Sequence, residues 1–444
     1  MGLLFCFFCN LLFYKSLGAM ANEDLVKFIW KFRLFSESQL TTVSGKLLDI
    51  VSPGEENHNA GPDFFNAKIK LEGVLWAGNV EIHVDAIDWE RHGHHRDGAY
   101  NNVILHVVVR NNLRAITLDG RELETLVVVP DSFLEERFWQ LQYSDSKIPC
   151  VPFINRVNML SVQSWLDTLA AERLQVRIRE INLLAESLKG DWEEVLYRNI
   201  TRSFGSSLNA LPFEMLAKQV PYSLLRRYSN SIVQLEALLF GQAGFLEQCD
   251  INDVYAQTLV KEYGYLQHKH NLIPMDVSLW KFAKTRPQNF PTIRIAQLAA
   301  MVQQRFPMLG KLATRSLLKE MNAALAIKTS PYWNDHFSFK HASRKQRKGM
   351  GSSMLHTIIL NAVIPVLYAY GGNKGDEEIQ ARCLNMLEEL QPEDNVITRM
   401  WEQLNVKAIN ALQSQALLQL FKAYCKPKKC LYCRIGTAVL TKNR

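Results

Sequence analysis

The chain has 444 residues, 48% of them hydrophobic and 21% charged, with a formal net charge of +7. That balance excludes a disordered chain, and the length exceeds one ordinary core, so two or three domains are expected. The pI near 8.9 leans toward an acidic partner such as nucleic acid but does not specify one.

Residues 1–19 contain an apolar run, Leu3 to Tyr14, interrupted by Asn10 and too short to span a bilayer. Ala19-Met20-Ala21 resembles a signal-peptide cleavage site, but no Lys or Arg precedes the apolar run. Asn22-Glu23-Asp24 at once caps an amphipathic helix through Phe28, Trp30, Phe32 and Leu34, so a mis-called start upstream of Met20 is the expected reading. No later segment is expected to reach transmembrane length, which gives a cytoplasmic expectation without a membrane partner.

Strand-like runs follow from Lys46: Leu47 to Val51, Phe64 to Leu71, Val74 to Val84, Val103 to Val109 and Leu126 to Val129, bounded by Gly, Asn, Asp and Pro. Between the third and fourth, Asp85 to Asn102 is rich in His and charge and suits a short helix or ordered loop. After Pro130 the period changes to that of helices, in Phe133 to Tyr143 and then from Ser161 to Tyr424. The expected domains are a mixed α/β domain over 20–150, an all-α domain over 151–420 and a basic, Cys-containing tail over 421–444. Trp192, Phe204, Phe213 and Trp280 read as helical core. Arg286 to Arg294, punctuated by Pro287 and Pro291, reads as a binding or packing loop.

Chemistry concentrates in the strands. Residues two apart on a strand share a face, so Glu81 and His83 point one way and Val80, Ile82 and Val84 the other. With an antiparallel hairpin turning at Glu72-Gly73, Asp63 comes level with Glu81 and His83. Convergent carboxylates suit Mg2+ or Mn2+, which favour oxygen ligands. His92, His94 and His95 lie close behind, and His92 and His94 could reach a metal, or a phosphate together with Arg91 and Arg96. His106, inside an apolar run, reads as buried. The histidines also permit a transition-metal site of the cupin kind, although the helix ahead of the strands argues against a β-sandwich.

Two further constellations stand apart. Cys425, Cys430 and Cys433 fall within nine residues among lysines, a chelating arrangement for Zn2+ or an iron–sulfur cluster. Cys150 is the leading candidate for a fourth ligand, ahead of Cys249 and Cys383. The loop from Lys340 through Arg344, Lys345, Arg347 and Lys348 to Ser353 combines cations with glycines and hydroxyls ahead of an apolar helix, which suits a nucleic-acid backbone.

The strings AGPDFFNAKI, WAGNVEIHV, YNNVILHVVV, EALLFGQAGFL, RPQNFPTIRIAQLA and CLYCRIG resemble an uncharacterised bacterial family, domain of unknown function 2851. The N-terminal part remotely resembles the restriction-endonuclease-like superfamily, whose core runs helix, three strands, helix, strand. Pro62-Asp63 and Glu81-Ile82-His83 stand where that superfamily has an aspartate and then Asp/Glu-x-Lys, with His83 in place of the usual lysine. The resemblance implies a metal-dependent nuclease in which Asp63 and Glu81 hold Mg2+ or Mn2+ and His83 takes the lysine's role. The alternatives are an inactive nucleic-acid-binding or scaffold protein on a degenerate nuclease fold, and another metal-dependent hydrolase using the histidines.

Overall fold

The structure is a computed structural model that describes residues 22–441, apart from 37, 249–252, 340 and 347 and the side chain of His341. The readings placed on residues 1–19, Met20, Cys249, Lys340 and Arg347 lie outside the described residues. The chain forms two compact units, one within Met1–Trp165 and Leu420–Arg444, the other Leu166–Gln419. The tail expected to stand alone therefore belongs to the first unit, which also continues past residue 150.

The first unit begins with α1 (Glu23–Phe32). Asn22 caps it by accepting the Leu25 N–H at 3.2 Å, and Arg33 ends it in a left-handed conformation. Its Leu25, Val26, Phe28, Ile29 and Trp30 are buried, and the helix packs on β5.

Seven strands follow: β1 (Leu40–Thr41), β2 (Leu47–Ser52), β3 (Glu55–Glu56), β4 (Phe64–Leu71), β5 (Val74–Asp85), β6 (Val103–Arg110) and β7 (Thr125–Val127). They make one mixed sheet in the order β1-β2-β4-β5-β6-β7, with β3 also paired to β4. The pairs β2/β4 and β4/β5 are antiparallel, whereas β5/β6 and β6/β7 are parallel. The sequence did not show β1 and β3, because two residues carry no alternation to read.

Along β4, Phe64, Ala67, Ile69 and Leu71 are buried while Asn66, Lys68 and Lys70 are exposed, the pattern of a sheet with one covered face. Glu72 and Gly73 join β4 to β5 with φ of 48° and 79°, the left-handed pair that matches hairpin twist. A bulge at Asn66 (φ 56°) shifts the register, so that Phe64 faces Val80 and Ala67 faces Gly78. That shift sets Asp63 beside Glu81 and Ile82.

β6 is buried throughout Val103–Val108, as a central parallel strand must be. Parallel pairing requires a crossover, here α2 (Asp88–Arg91) and two single 3-10 turns, His94–Arg96 and Gly98–Tyr100. Trp89 anchors the crossover in a small core with Tyr100, Val103, Ala115 and Leu123, and its indole N–H donates to the Ile116 carbonyl at 2.9 Å. The helix α3 (Ser132–Gln142) follows, capped by Asp131, whose side chain accepts the Phe133 N–H.

The second unit is mainly helical, but it is not the all-α domain expected: His336–Ser338 and His341–Ala342 pair as a small antiparallel sheet. The unit's core takes in Trp192, Phe204 and Phe213, which lie on helices, and Trp280, which follows a 3-10 turn in extended conformation. Contrary to the sequence-based expectation, one segment among the described residues is long and apolar enough to cross a membrane: the 23-residue helical run Ser352–Lys374. Its Ile358, Ile359, Leu360, Val363 and Val366 lie in this unit's core. Pro365 removes one rung of the helix ladder, and Ile359–Val363 adopts a π turn ahead of it. The Asn361 carbonyl accepts from the Arg177 guanidinium at 3.1 Å instead.

Candidate metal centre

Glu81 lies at the middle of the site, 5% exposed on a strand packed on both sides. Its two carboxylate oxygens face different neighbours. Oε2 accepts the backbone N–H of Asp63 at 3.0 Å. Oε1 lies 3.5 Å from His83 Nε2 and 3.2 Å from His94 Nε2, yet His94 Nε2 is buried without a hydrogen bond of good geometry. His92 joins from the crossover: the ligand atoms of His83, His92 and His94 all lie within 4.8 Å of one another, the single such grouping of three among the described residues. The His83 and His94 rings stack with centroids 5.3 Å apart, and His92 is edge-on to both.

A second layer orients this group. His83 Nδ1 lies 2.9 Å from His106 Nε2, so His83 can donate from Nδ1 and keep its Nε2 lone pair on the Glu81 side. Burial above all, and then the nearby charges of His106, His94 and His92, push the His83 imidazolium down to about 2, so its ring is neutral and able to act as a ligand near pH 7. Burial likewise lowers His106, to about 4. The reading of His106 as a buried histidine holds, with His83 as its partner.

Asp63 is placed differently from the expectation that it would share an ion with Glu81. Its Oδ2 accepts the Ile82 N–H at 3.1 Å, and its Oδ1 pairs with the Lys27 ammonium at 2.7 Å. Both oxygens are engaged, so Asp63 works as a strut between β4, β5 and α1. Burial and the Glu81 charge raise its carboxyl above the usual range, and Lys27 opposes the rise. For Lys27, burial acts downward, but Asp63 and Glu23 carry the ammonium above the usual lysine range. Sequence reasoning missed Lys27. Its one local signal is the Glu23–Lys27 helical pair, closed at 2.7 Å, which says nothing of Asp63.

Among the cations assigned to nucleic acid, Arg91 and Arg96 are exposed on the crossover, with Arg91 Nη1 3.1 Å from Asp88 Oδ1. Arg344 and Lys345 are exposed in the second unit. Lys348 does not fit the assignment. It is 6% exposed, its ammonium donates to the carbonyl of His336 and to Ser343 Oγ, both at 2.9 Å, and it sits 4.0 Å over the Phe337 ring. A lysine so enclosed fastens its own loop and is not presented to a phosphate. The helix start after that loop, Ser352–Ile358, is a short segment without a side-chain cap. Arg294 is also internal, on the helix Pro291–Gln304 and bonded to Gln297 and Asn289 at 2.7 and 2.6 Å, whereas Arg286 to Asn289 are exposed.

The four cysteines singled out, Cys150, Cys425, Cys430 and Cys433, are all buried, unpaired by disulfides and within the first unit. Cys383 lies in the second unit.

A family model described as "Protein of unknown function (DUF2851)" matches residues 23–396, most of the chain. The chain belongs to that family. No curated protein and no solved structure matches it. In this DUF2851 member the grouped donors are three imidazoles, with a Glu81 carboxylate oxygen beside two of them, a set suited to Zn2+, Mn2+ or Fe2+ better than to Mg2+. The orphaned His94 nitrogen, close to Glu81 Oε1 but poorly aligned with it, is the observation that fits an ion between them.

Proposed function

We propose that the first unit is a restriction-endonuclease-like, metal-dependent nuclease domain, with the ion held by Glu81, His83, His92 and His94. The observation that carries this reading is the approach of His92 and His94, on the crossover, to Glu81 and His83 on the hairpin strand that follows Asp63. The strand order gives it context: a helix, an antiparallel meander of β2, β4 and β5, a short helical crossover and the parallel β6. When bound, a divalent ion would supply Lewis-acid stabilisation of phosphoryl charge and a water of lowered pKa.

The chain's own residues do the remainder. His106 holds the His83 ring by its far nitrogen, which fixes the tautomer that offers Nε2. Asp63 holds Glu81 through its backbone N–H and holds β5 through its side chain. Lys27, paired with Asp63 and Glu23, keeps a fixed positive charge close to the place that His83 leaves without a lysine. Arg91 and Arg96 extend the cationic surface along the crossover.

The test is cleavage of labelled single- and double-stranded DNA and RNA by the full chain with Mn2+, Fe2+, Zn2+ or Mg2+, wild type against Glu81→Ala. The expected result is metal-dependent cleavage, reduced by at least about a hundredfold in the variant. A folded, metal-replete wild type that binds nucleic acid in a salt-dependent way but does not cut would replace this reading with a binding or scaffold module. Neither binding nor cutting would move the site toward a small-molecule hydrolase.

A further inference from the structure

The four buried cysteines of the first unit are brought together from two distant parts of the chain. Cys150 precedes the 3-10 segment Val151–Arg156. Cys425 ends a π turn, Cys430 starts a 3-10 turn, and Cys433 directly precedes the last helix, Arg434–Thr441. All four are between 6% and 7% exposed, and none is in a disulfide. Four free thiols packed together in a dry place form no strong hydrogen bonds with one another, so some other partner accounts for their convergence.

Their spacing narrows the choice of partner. No three of these sulfurs have their atoms within 4.8 Å of one another, a condition the histidine group does meet. One tetrahedral Zn2+, with bonds near 2.3 Å, would draw its sulfurs to roughly 3.8 Å apart. In a cubane cluster each thiolate binds a separate iron, so the sulfurs stand farther apart, roughly 6 Å. The segments that carry the thiols nonetheless pack together: the helix Arg434–Thr441 touches both the Cys430–Tyr432 turn and the Val151–Arg156 segment that follows Cys150, and the Cys430–Tyr432 turn touches the π turn that ends at Cys425.

The surroundings of Cys433 are the second, independent observation. Cys433 directly precedes the last described helix, whose first backbone N–H groups, those of Ile435 and Gly436 among them, have no partner within the helix. Trp165, 6% exposed, lies under the guanidinium of the adjacent Arg434 at 5.1 Å, and its Nε1 finds no hydrogen-bond partner. Gly436 has no room for a side chain, since a Cβ there would meet the Cys430 carbonyl oxygen. That close approach sets the first turn of the helix against Cys430. The Cys425–Cys430 loop is fastened to α3 by reciprocal bonds: Gln142 Nε2 donates to the Lys428 carbonyl at 3.0 Å, and Lys428 Nζ to the Gln142 carbonyl at 2.6 Å.

We propose that Cys150, Cys425, Cys430 and Cys433 ligate a [4Fe–4S] cluster that ties the carboxyl-terminal segment to the α/β unit. The cluster arrives preformed. Each thiol loses its proton to solvent as its sulfur replaces a labile ligand on one iron, with no change in iron oxidation state. Lys426, Lys428 and Lys429 offset the resulting negative charge, and the amide and indole N–H groups at Cys433 tune the reduction potential. The proposal stands independently of the histidine site and of nuclease activity.

The test uses the full chain, purified without oxygen and reconstituted with iron and sulfide, with iron, acid-labile sulfide, zinc and visible absorption measured. About four irons and four sulfides per chain are expected, with absorption that bleaches on reduction by dithionite. Cys150→Ser and Cys433→Ser should lose that content while Cys383→Ser, a buried thiol of the other unit, keeps it. Trp165→Phe should keep the cluster with a more negative reduction potential, a readout that does not depend on the serine variants folding. One zinc per chain without sulfide, or a folded chain that takes up neither metal, would overturn the proposal.

Discussion

Two buried glutamates show how the same side chain acquires different meanings. Glu81 faces imidazoles that can share an ion with it, whereas Glu236 in the second unit, 0% exposed, accepts from the Trp333 indole at 2.9 Å and the Tyr255 hydroxyl at 2.8 Å. Neutral donors offset burial only in part, and Glu236 is raised from 4.5 to about 7. An acid raised on folding binds more protons in the native state than in the unfolded one. Its contribution is therefore fully present below pH 4.5 and lost as pH rises to about 7. Glu236→Gln should remove this dependence, with a gain at pH 8 on the order of 1–3 kcal/mol over wild type in urea unfolding and no comparable gain at pH 4.5. Equal gains at both pH values would show that the carboxyl does not titrate in the folded protein. Residues of this kind were only partly legible in the sequence. The alternation of β5 identified Glu81 and His83 as neighbours, but it could not separate Asp63 the strut from Asp63 the ligand, because both oxygens are claimed by groups, Lys27 and the Ile82 amide, that depend on the folded register. Lys348 was misread for a related reason: a lysine in a cationic run looks exposed until the carbonyls that hold it are in view.

The elements were more legible than their joints. Strand-like runs bounded by turn residues located β2, β4, β5 and β6, and the helix cap at Asn22 located α1, since each is a local signal. The bulge at Asn66 and the tight approach of the crossover to β5 are not periodic, and they place the site. Gly78 marks that approach: a Cβ there would lie 2.6 Å from the Asn102 carbonyl oxygen and 2.4 Å from Ile104 Cγ2. The obstructing carbonyl belongs to the end of the crossover, where the Asn79 N–H donates to Asn102 O at 2.8 Å as β6 begins. Gly78→Ala should consequently destabilise the first unit by about 1–3 kcal/mol. Because the crossover carries His92 and His94, it should also weaken Mn2+ or Zn2+ binding, by isothermal calorimetry, more than an exposed change such as Lys70→Ala. Unaltered stability and affinity would mean that β6 yields freely, and the crossover would lose its place as the element that aims the histidines.

At the scale of the whole chain, the change from a period of two to a helical period after Pro130 announced an α/β part followed by a helical part. That the last residues rejoin the first unit could not be read from any local pattern, since only the chemistry of the cysteines connects segments so far apart. The division has a thermodynamic consequence. The second unit's core is built from residues between Ile181 and Ala411, while every group of the histidine site lies between Lys27 and His106 in the first unit. A ligand that binds only the native site stabilises what must unfold to release it, by about 3 kcal/mol at a hundred times its Kd. Hydrogen exchange should then distinguish the units. Removing the divalent ion from manganese-loaded protein should speed exchange in β5, the crossover and β6. Amides of Pro291–Gln304 and Ile232–Gln242, helices of the second core, should exchange at unchanged rates. Protection lost evenly across both units would show that the chain opens as one cooperative body, and protection lost nowhere would show that the ion does not bind at Glu81 and the three histidines.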